Sequence, residues 1–334
     1  MNDRLDNLLV AEGISAHFQV RNPSLFQRKT RTLVAVEDIS FRIPGGRTLG
    51  LVGESGCGKT TVGRMVLGLV KHKTGSINFE GERTDSARDE TWRKRRRRMQ
   101  LVHQDPHGAL DRRLKIGVQV MEPLEIHGIG KSGSERREMA LRILDRVGLS
   151  SEHFERYPHE LSGGQRQRAV LARALILEPR LVVCDEAVSA LDVSVQAQVV
   201  NLLLDLQQSL GLSYLFISHD LRVVRHVSHE VAVMYLGNFV EVGPPEQVLD
   251  HPMHPYTRAL VGSMPQILNP NHADAEKLRG ELPDLLHRPD GCVFHPRCPL
   301  ANELCKRQKP RLEPLADGRK LACHHVPVRR SHVA

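Results

Sequence analysis

The sequence of 334 residues predicts an α/β fold with a parallel core of alternating strands and helices, an antiparallel β layer, a helical segment and a small cysteine-containing C-terminal module. A glycine-rich turn joins a strand-like run to a helical pattern at residues 49–70. Strand and helix patterns alternate again at residues 181–217. Beyond about residue 262 prolines and histidines accumulate, so we expect one domain at residues 1–265 and an appended module at residues 266–334.

The first part of the chain has the pattern of β structure. Residues 1–50 alternate in a β manner, with the run at residues 33–43 ending at a Pro44-Gly45-Gly46 turn, and residues 75–81 form another strand-like segment. Residues from about 105 to 179 are predicted to be helical, most clearly at residues 136–148, where apolar residues recur every three or four positions. The later elements are expected at residues 181–184, 192–210, 214–217, 231–235 and 238–242.

Composition and charge narrow the function classes. No apolar run approaches the roughly 18 residues that span a bilayer, and residues 1–30 are charged throughout, so we expect neither a membrane anchor nor a signal peptide. The net charge is +8, and Arg93 to Arg98 form a basic run. We interpret this run as a solvated helix face or a membrane-proximal patch rather than a nucleic-acid site, because four Tyr and one Trp offer little surface for base stacking.

Residues 53–60 have the spacing G-x-x-x-x-G-K-T between an apolar run and a helical pattern, which is the setting of a phosphate-binding loop. Glycines let successive backbone N–H groups face an anion, and the following helix adds the positive end of its dipole. Lys59 supplies a positive charge to the β- and γ-phosphates, and Thr60 offers a hydroxyl to Mg²⁺. The predicted nucleotide-binding residues here are Gly53, Glu54, Ser55, Gly56, Cys57, Gly58, Lys59, Thr60 and Thr61.

Polar residues also follow the later apolar strands. Asp185 is placed to hold Mg²⁺ through water, and Glu186 is placed to polarise an attacking water. His219 lies just past another strand, where its imidazole could reach a γ-phosphate, although a lone histidine there is more often structural. Gln104 ends a further strand and can bond the water or the metal.

A second anion-binding helix end is predicted at residues 161–165, with the sequence LSGGQ. Ser162 can cap the helix that follows, while Gly163 and Gly164 leave its N–H groups accessible. One nucleotide does not need two such helix ends from one chain. We therefore expect Ser162, Gly163, Gly164 and Gln165 to serve a γ-phosphate that another subunit holds.

The motifs GESGCGKT, HQDP, LSGGQRQR, VVCDE, SALD and ISHD occur in this order, and over roughly residues 8–262 the chain resembles the ATP-binding subunits of ABC transporters. The resemblance implies ATP and Mg²⁺ as ligands, and a P-loop NTPase fold with a RecA-like core, an antiparallel β subdomain and a helical subdomain at about residues 105–179. It makes Glu186 the general base, His219 the switch histidine and Asp192 the D-loop contact. It assigns Walker A to residues 53–60, the Q-loop to Gln104, the signature to residues 161–165 and Walker B to Asp185.

The family also implies partners. Two such subunits pack head to tail with ATP between the Walker A motif of one and the signature of the other, and they drive two transmembrane permease subunits. An aromatic near the start of the chain stacks on adenine in the family; Phe18 is the candidate, and a core phenylalanine on an edge strand is the alternative. The chain departs from the family at Ala187, where Pro is usual, and at His103, where an aromatic is common. Neither departure removes a side chain that carries the predicted chemistry.

The tail contains four of the six cysteines, in the spacing C-x5-C-x6-C-x17-C. Four thiolates in a proline-rich module suggest a metal that holds the module together, and a disordered tail with incidental cysteines is the alternative. Together with HPYTRAL at residues 254–260, GELPD at 280–284 and RYPH at 156–159, the tail resembles the oligopeptide/dipeptide branch of ABC importers. That branch associates the tail with an iron–sulfur cluster, so we expect [4Fe-4S] rather than zinc. The expected ligands are Cys292, Cys298, Cys305 and Cys323.

The branch implies an ATPase that powers peptide import from the cytoplasmic face of the inner membrane. Its partners would be a second ATPase subunit, usually a paralogue, two permeases and, indirectly, a solute-binding protein. Nickel, glutathione or another small solute is an alternative cargo. A nucleic-acid-linked ABC ATPase would use the basic run but typically carries two cassettes or a long coiled coil, and a self-contained P-loop kinase or GTPase would not need the LSGGQ helix end.

Overall fold

The computed structural model describes residues 7–21, 30–84, 90–103, 106–189, 191–263, 283 and 286–325. Three predictions therefore fall outside the described residues: Gln104, most of the segment at residues 280–284, and the domain boundary at residue 265. The chain divides into two compact units. The first unit comprises Met1–Leu9, Ile43–Thr48 and Phe79–Ser218, and the second comprises Val10–Arg42, Leu49–Asn78 and His219–Ala334.

Strands and helices alternate along most of the described chain. The strands are β1 Asn7–Arg21, β2 Thr30–Pro44, β3 Thr48–Val52, β4 Thr74–Phe79, β5 Glu82–Arg83, β6 Met99–Val102, β7 Leu181–Asp185, β8 Ser213–Ile217, β9 Glu230–Tyr235, β10 Asn238–Gly243, β11 Glu313–Pro314 and β12 Lys320–Leu321. The helices are α1 Lys59–Val66, α2 Glu90–Arg98, α3 Pro106–Ala109, α4 Ile116–His127, α5 Gly133–Arg146, α6 Gly163–Leu175, α7 Val193–Leu210, α8 Leu221–Val227, α9 Pro255–Gly262 and α10 Glu303–Arg307. Short 3-10 turns occur at Ser151–Phe154, Pro158–Glu160 and His295–Arg297, and a π-helical turn at Glu246–Asp250.

The strands β6, β7 and β8 of the first unit are parallel to one another. β7 pairs in parallel with β6 on one side and with β8 on the other. Leu181 to Cys184 are completely buried. An uninterrupted apolar run of this kind is typical of a parallel strand that is covered on both faces. Parallel pairing also brings the carboxyl ends of β6, β7 and β8 to one edge, where the residues after Cys184 and Ile217 emerge.

Helices α4, α5 and α6 of the first unit pack against one another. Ser132 caps α5, and its side chain accepts a hydrogen bond from the backbone N–H of Glu135. Their contact faces bury Val120 and Leu124 from α4, Ile143 and Leu144 from α5, and Ala169 from α6. Within the described residues, no helix is both long enough and apolar enough to cross a bilayer.

The described strands of the second unit form two groups. In one, β1 lies between β2 and β4, and Gly13 contacts Ser40 while Ser15 contacts Asp38, so β1 and β2 run in opposite directions. In the other, β3 pairs in parallel with β9, and β9 pairs antiparallel with β10. The tail adds β12 antiparallel to β10, and β11 antiparallel to β12. The sequence pattern does not predict these tail strands, because two residues are too few to show a period.

Candidate functional site

The phosphate loop follows β3 and ends where α1 begins at Lys59. Gly53 and Gly58 have φ angles of 150° and 110°, a region that L side chains rarely adopt. A Cβ on Gly53 would lie 2.2 Å from the carbonyl oxygen of Met234, and one on Gly58 would lie 2.3 Å from that of Ala35. Glycine is therefore needed at both positions for the backbone to turn and for the neighbouring backbone to approach.

Lys59 is turned onto its own loop. Its ammonium donates hydrogen bonds to the carbonyl oxygens of Gly53 at 2.8 Å and Glu54 at 2.9 Å, and the residue is 5% exposed. Cys57 is completely buried beside it, and burial raises the pKa of its thiol although the charge of Lys59 opposes this. The loop thus holds one positive charge, which is the charge that phosphate binding needs.

Glu54 makes two contacts with residues far along the chain. Its carboxylate accepts hydrogen bonds of 2.7 and 3.2 Å from the guanidinium of Arg297, which lies in the tail. Its backbone N–H donates to the phenol oxygen of Tyr256 in α9 at 2.9 Å. Neither Arg297 nor Tyr256 is among the site residues predicted from the sequence. Tyr256 lies in the HPYTRAL motif, which indicated the transporter branch but suggested no role for the tyrosine.

An aromatic cluster surrounds this contact. The ring centroids of Tyr235 and Tyr256 are 4.7 Å apart, and Phe294 lies 5.2 Å from Tyr235 and 5.5 Å from Tyr256. Tyr256 and Phe294 are among the most deeply buried large side chains. Burial raises the pKa of both Tyr235 and Tyr256, so both phenols keep their protons at neutral pH. The cluster fixes the positions of the residues that contact Glu54.

Asp185 and Glu186 lie at the end of β7 in the first unit. Glu186 has a φ angle of 51°, which is uncommon for a residue other than glycine. Two sets of hydrogen bonds hold this conformation: the N–H of Glu186 donates to the carbonyl of Ile217 at 2.9 Å, and its carbonyl accepts from the N–H and hydroxyl of Ser189. Both carboxylate residues are partly exposed. Strained backbone of this kind is concentrated at active sites, ligand clamps and switch regions.

The predicted signature segment forms the start of α6. The hydroxyl of Ser162 accepts a hydrogen bond from the N–H of Gln165 at 3.3 Å, and the Gln165 side chain accepts one from the N–H of Ser162 at 2.9 Å. This reciprocal pair is a capping box. Gly164 packs so closely that a Cβ would lie 2.6 Å from a methyl group of Val195. The segment presents a helix N-terminus with Ser162 exposed and Gly163 partly exposed.

Three further predicted residues occupy distinct places. Asp192 is exposed at the N-terminus of α7. His219 is exposed and follows β8, and the next residue, Asp220, caps α8. Phe18 is 38% exposed on β1. This exposure is that of a surface side chain rather than of a core phenylalanine.

The four tail cysteines lie near one another. Burial, followed by the neighbouring thiols of Cys305, Cys298 and Cys323, raises the pKa of Cys292 to about 11. The sulfur of Cys305 also lies 3.4 Å from Nε2 of His325. Within residues 286–325 and the rest of the described chain, however, no three His, Cys, Asp or Glu side chains are arranged as metal ligands. The geometry therefore does not support the predicted cluster, although the thiols share one neighbourhood.

A buried polar network lies beside α9. Glu241 is completely buried and accepts hydrogen bonds of 3.0 Å from the N–H groups of Met253 and His254. Burial raises the pKa of Glu241 and lowers the pKa of His254 to about 3. Nδ1 of His254 accepts a hydrogen bond from the N–H of Tyr256 and so caps α9. Arg319 from the tail completes the network by contacting Glu241 and two backbone carbonyls.

Two protein-family models match the chain. The ABC transporter model matches residues 36–189. A model described as the C-terminal region of oligopeptide/dipeptide transporters matches residues 240–305, which include α9 and the turn that carries Arg297. The first match covers the phosphate loop, the capped start of α6 and the acidic end of β7, and the second covers Tyr256 and Arg297.

Relatives resemble the chain over nearly its whole length. The di/tripeptide transport ATP-binding protein DppF of Pseudomonas aeruginosa is 46% identical over 96% of this chain and 98% of its own. The oligopeptide transport ATP-binding protein AppF of Bacillus subtilis is 45% identical over 96% of this chain and 97% of its own. A dimeric structure of the ATP-binding cassette MJ0796 with ADP and phosphate matches with a TM-score of 0.62 and 25% identity, over 71% of this chain and 98% of that one. The chain thus belongs to the ATP-binding proteins of ABC transporters, in the oligopeptide/dipeptide branch.

Proposed function

We propose that this chain binds and hydrolyses ATP to power an importer of dipeptides or oligopeptides. The observation that carries this proposal is that one chain has both a phosphate loop with Lys59 and a second anion-binding helix end capped by Ser162. A single nucleotide site does not need both. Two such chains, packed head to tail, would each complete the other's site, and the similarity to a dimeric cassette supports this assembly.

The predicted site residues divide between phosphate binding, metal binding and hydrolysis in this proposal. The loop N–H groups and Lys59 bind the phosphates, and the aromatic ring of Phe18 stacks on the adenine. Thr60, Asp185 and Gln104 would hold Mg²⁺, which neutralises charge on the phosphates. Glu186 polarises the attacking water, and His219 contacts the γ-phosphate. Ser162, Gly163 and Gly164 of the partner chain donate to the same phosphate, with Asp192 at the junction of the two chains.

We infer the substrate and the membrane partners from the names of the relatives. DppF is named for di/tripeptide transport and AppF for oligopeptide transport, and each matches 96% of this chain. We propose the same cargo class here, with nickel or glutathione as less favoured alternatives. The protein would act on two permease subunits at the cytoplasmic face of the inner membrane, together with a second, related ATPase and indirectly a solute-binding protein. No role with nucleic acid is proposed.

Transport by reconstituted vesicles tests this proposal. The chain would be co-purified with its permeases and second ATPase, placed in vesicles with the solute-binding protein, and given labelled dipeptide or oligopeptide. We expect ATP-dependent peptide uptake that is lost in Glu186→Gln. Uptake of nickel or glutathione instead of peptide would contradict the cargo, and tight, salt-resistant binding of nucleic acid in a filter assay would contradict the transporter role.

We also propose that Cys292, Cys298, Cys305 and Cys323 hold a [4Fe-4S] cluster, with zinc as the alternative. The support for this proposal is that the four thiols share one neighbourhood and that thiolates are the ligands of both groups. Anaerobic purification with iron, sulfide and zinc analysis distinguishes the two. A metal-free protein whose stability does not change when Cys298 becomes Ser would contradict both.

A further inference from the structure

We propose that the C-terminal part of the chain positions the phosphate loop through Glu54, with Arg297 and Tyr256 as positioning residues for nucleotide binding. Arg297 cancels a negative charge that Glu54 would otherwise present to the phosphates. Tyr256 fixes the backbone at the same residue. This inference rests on the proposed binding of ATP, and it assigns a role to two segments that the ATPase chemistry itself does not use.

The contacts at Glu54 converge from three directions. The guanidinium of Arg297 binds both carboxylate oxygens of Glu54. Such a two-point contact fixes the orientation of the carboxylate in addition to attracting its charge. The phenol oxygen of Tyr256 accepts a hydrogen bond from the backbone N–H of Glu54. The ammonium of Lys59 donates a hydrogen bond of 2.9 Å to the backbone carbonyl of Glu54. The side chain, the N–H and the C=O of this one loop residue are therefore all held.

The pairing of Arg297 with Glu54 is well shielded from water. The side chain of Arg297 is 5% exposed and that of Glu54 is 25% exposed. The phenol of Tyr235 lies 3.5 Å from the same guanidinium, and Arg297 itself follows Phe294 of the aromatic cluster by three residues. In such surroundings the attraction between the two charges is stronger than on an open surface.

Glu54 places a negative charge in the loop that is proposed to bind a polyanion. Lys59 does not neutralise it, because the ammonium contacts its backbone carbonyl and not its carboxylate. If Arg297 were absent, the carboxylate would repel the phosphates, and the repulsion would grow with the number of phosphate charges. The effect of removing Arg297 should thus be larger for ATP than for ADP, and absent for adenosine.

The test measures the affinities of the purified chain for ATP, ADP and adenosine by calorimetry, with the wild type beside Arg297→Met, Glu54→Gln and the double variant. We expect Arg297→Met to weaken ATP binding by roughly tenfold or more, ADP binding by less, and adenosine binding not at all. The double variant should restore ATP binding to within about twofold of the wild type, because it removes both charges. Tyr256→Phe keeps the ring and removes the acceptor, so it should weaken ATP and ADP binding equally.

Arg288→Met is the matched control. Arg288 also lies in the C-terminal part and pairs with a carboxylate, Glu37, at 3.1 Å, and Lys309 contacts the same carboxylate at 2.8 Å. This control should leave the affinities for all three ligands unchanged. Equal weakening of ATP, ADP and adenosine by Arg297→Met, or a double variant as weak as the single one, would show that Arg297 acts by packing alone and would overturn the proposal.

Two outcomes separate this inference from the proposed function. Absence of ATP binding by the wild type would contradict the proposed function. Equal ATP affinities of the wild type and Arg297→Met would contradict only the role of Arg297. If Arg297→Met does not fold, Glu54→Gln decides the question. Removal of the carboxylate should then keep or increase the preference for ATP over ADP, and a reduced preference would contradict the charge argument.

Discussion

The backbone N–H of Glu186 donates to the carbonyl of Ile217 at 2.9 Å, which ties the residue after β7 to the last residue of β8. This bond fixes Glu186 at a positive φ angle just beyond the parallel strands. A carboxylate on a fixed backbone can orient a water without a further conformational cost. The side chain of Glu186 is therefore the group in the first unit on which hydrolysis should depend most.

Glu186→Gln should reduce ATP hydrolysis by about 10²- to 10⁴-fold, because an amide cannot accept the proton of the attacking water. ATP binding should remain, so the variant should accumulate as an ATP-bound dimer, which size-exclusion chromatography and release of labelled phosphate would measure. Undiminished hydrolysis in this variant would remove Glu186 from its role.

Ser162→Arg should abolish hydrolysis by an assembled pair and leave ATP binding intact, because the bulky cation replaces the cap at the helix end that serves the partner's nucleotide. Ser162→Thr is the matched control, since threonine is also a helix cap and should retain most activity. The measurements are the ATPase rate of the assembled pair and the binding of a fluorescent ATP analogue. A monomer whose turnover survived Ser162→Arg would point instead to a self-contained P-loop enzyme.

Gly58→Ala should destabilise the fold by about 1–3 kcal/mol and greatly weaken ATP binding. The backbone there has a φ angle of 110°, and the new methyl group would meet the carbonyl of Ala35. Gly45→Ala is the control, because its Cβ would meet no atom within 4 Å. Denaturant unfolding should show a change of no more than about 0.5 kcal/mol for the control, and equal effects of both variants would contradict the steric account.

The buried His254 should make stability depend on pH between about 6.5 and 3. Burial lowers the pKa of this imidazole from 6.5 to about 3, so in this range the unfolded chain takes up a proton that the folded chain does not. Stability should thus fall as the pH falls, by about 2 kcal/mol at pH 5 from this residue alone. His254→Asn keeps a cap for α9 and should lose less stability than the wild type between pH 7 and pH 5, as measured by urea unfolding. Parallel losses in both proteins would show that His254 does not titrate in this way.

The sequence predicted the elements of the core well, because their patterns are local. The strand at residues 181–184 appears as β7, the helix expected at residues 192–210 as α7, and the strand expected at residues 214–217 as β8. An uninterrupted apolar run and a three- to four-residue period are properties of neighbouring residues. The phosphate loop was predictable for the same reason, since its glycines, lysine and threonine all lie within residues 53–60.

The contacts of Glu54 could not be predicted in this way. Glu54 and Arg297 are separated by 243 positions, and either residue alone has the appearance of an ordinary surface charge. The motif HPYTRAL indicated the branch, yet the role of its tyrosine depends on where α9 packs. The iron–sulfur prediction relied on the spacing of the cysteines and on resemblance, and the structure shows the thiols as neighbours without the geometry of a metal site.

The pairing of β12 with β10 has a consequence for shortened versions of the protein. Leu321 lies opposite Glu241, and Lys320 opposite Val242, so the tail covers N–H and C=O groups along one side of β10. A chain cut after α9 would keep every motif of ATP hydrolysis but expose that row of backbone groups, which can then pair with the same row on another molecule. Truncated forms should therefore self-associate into insoluble material.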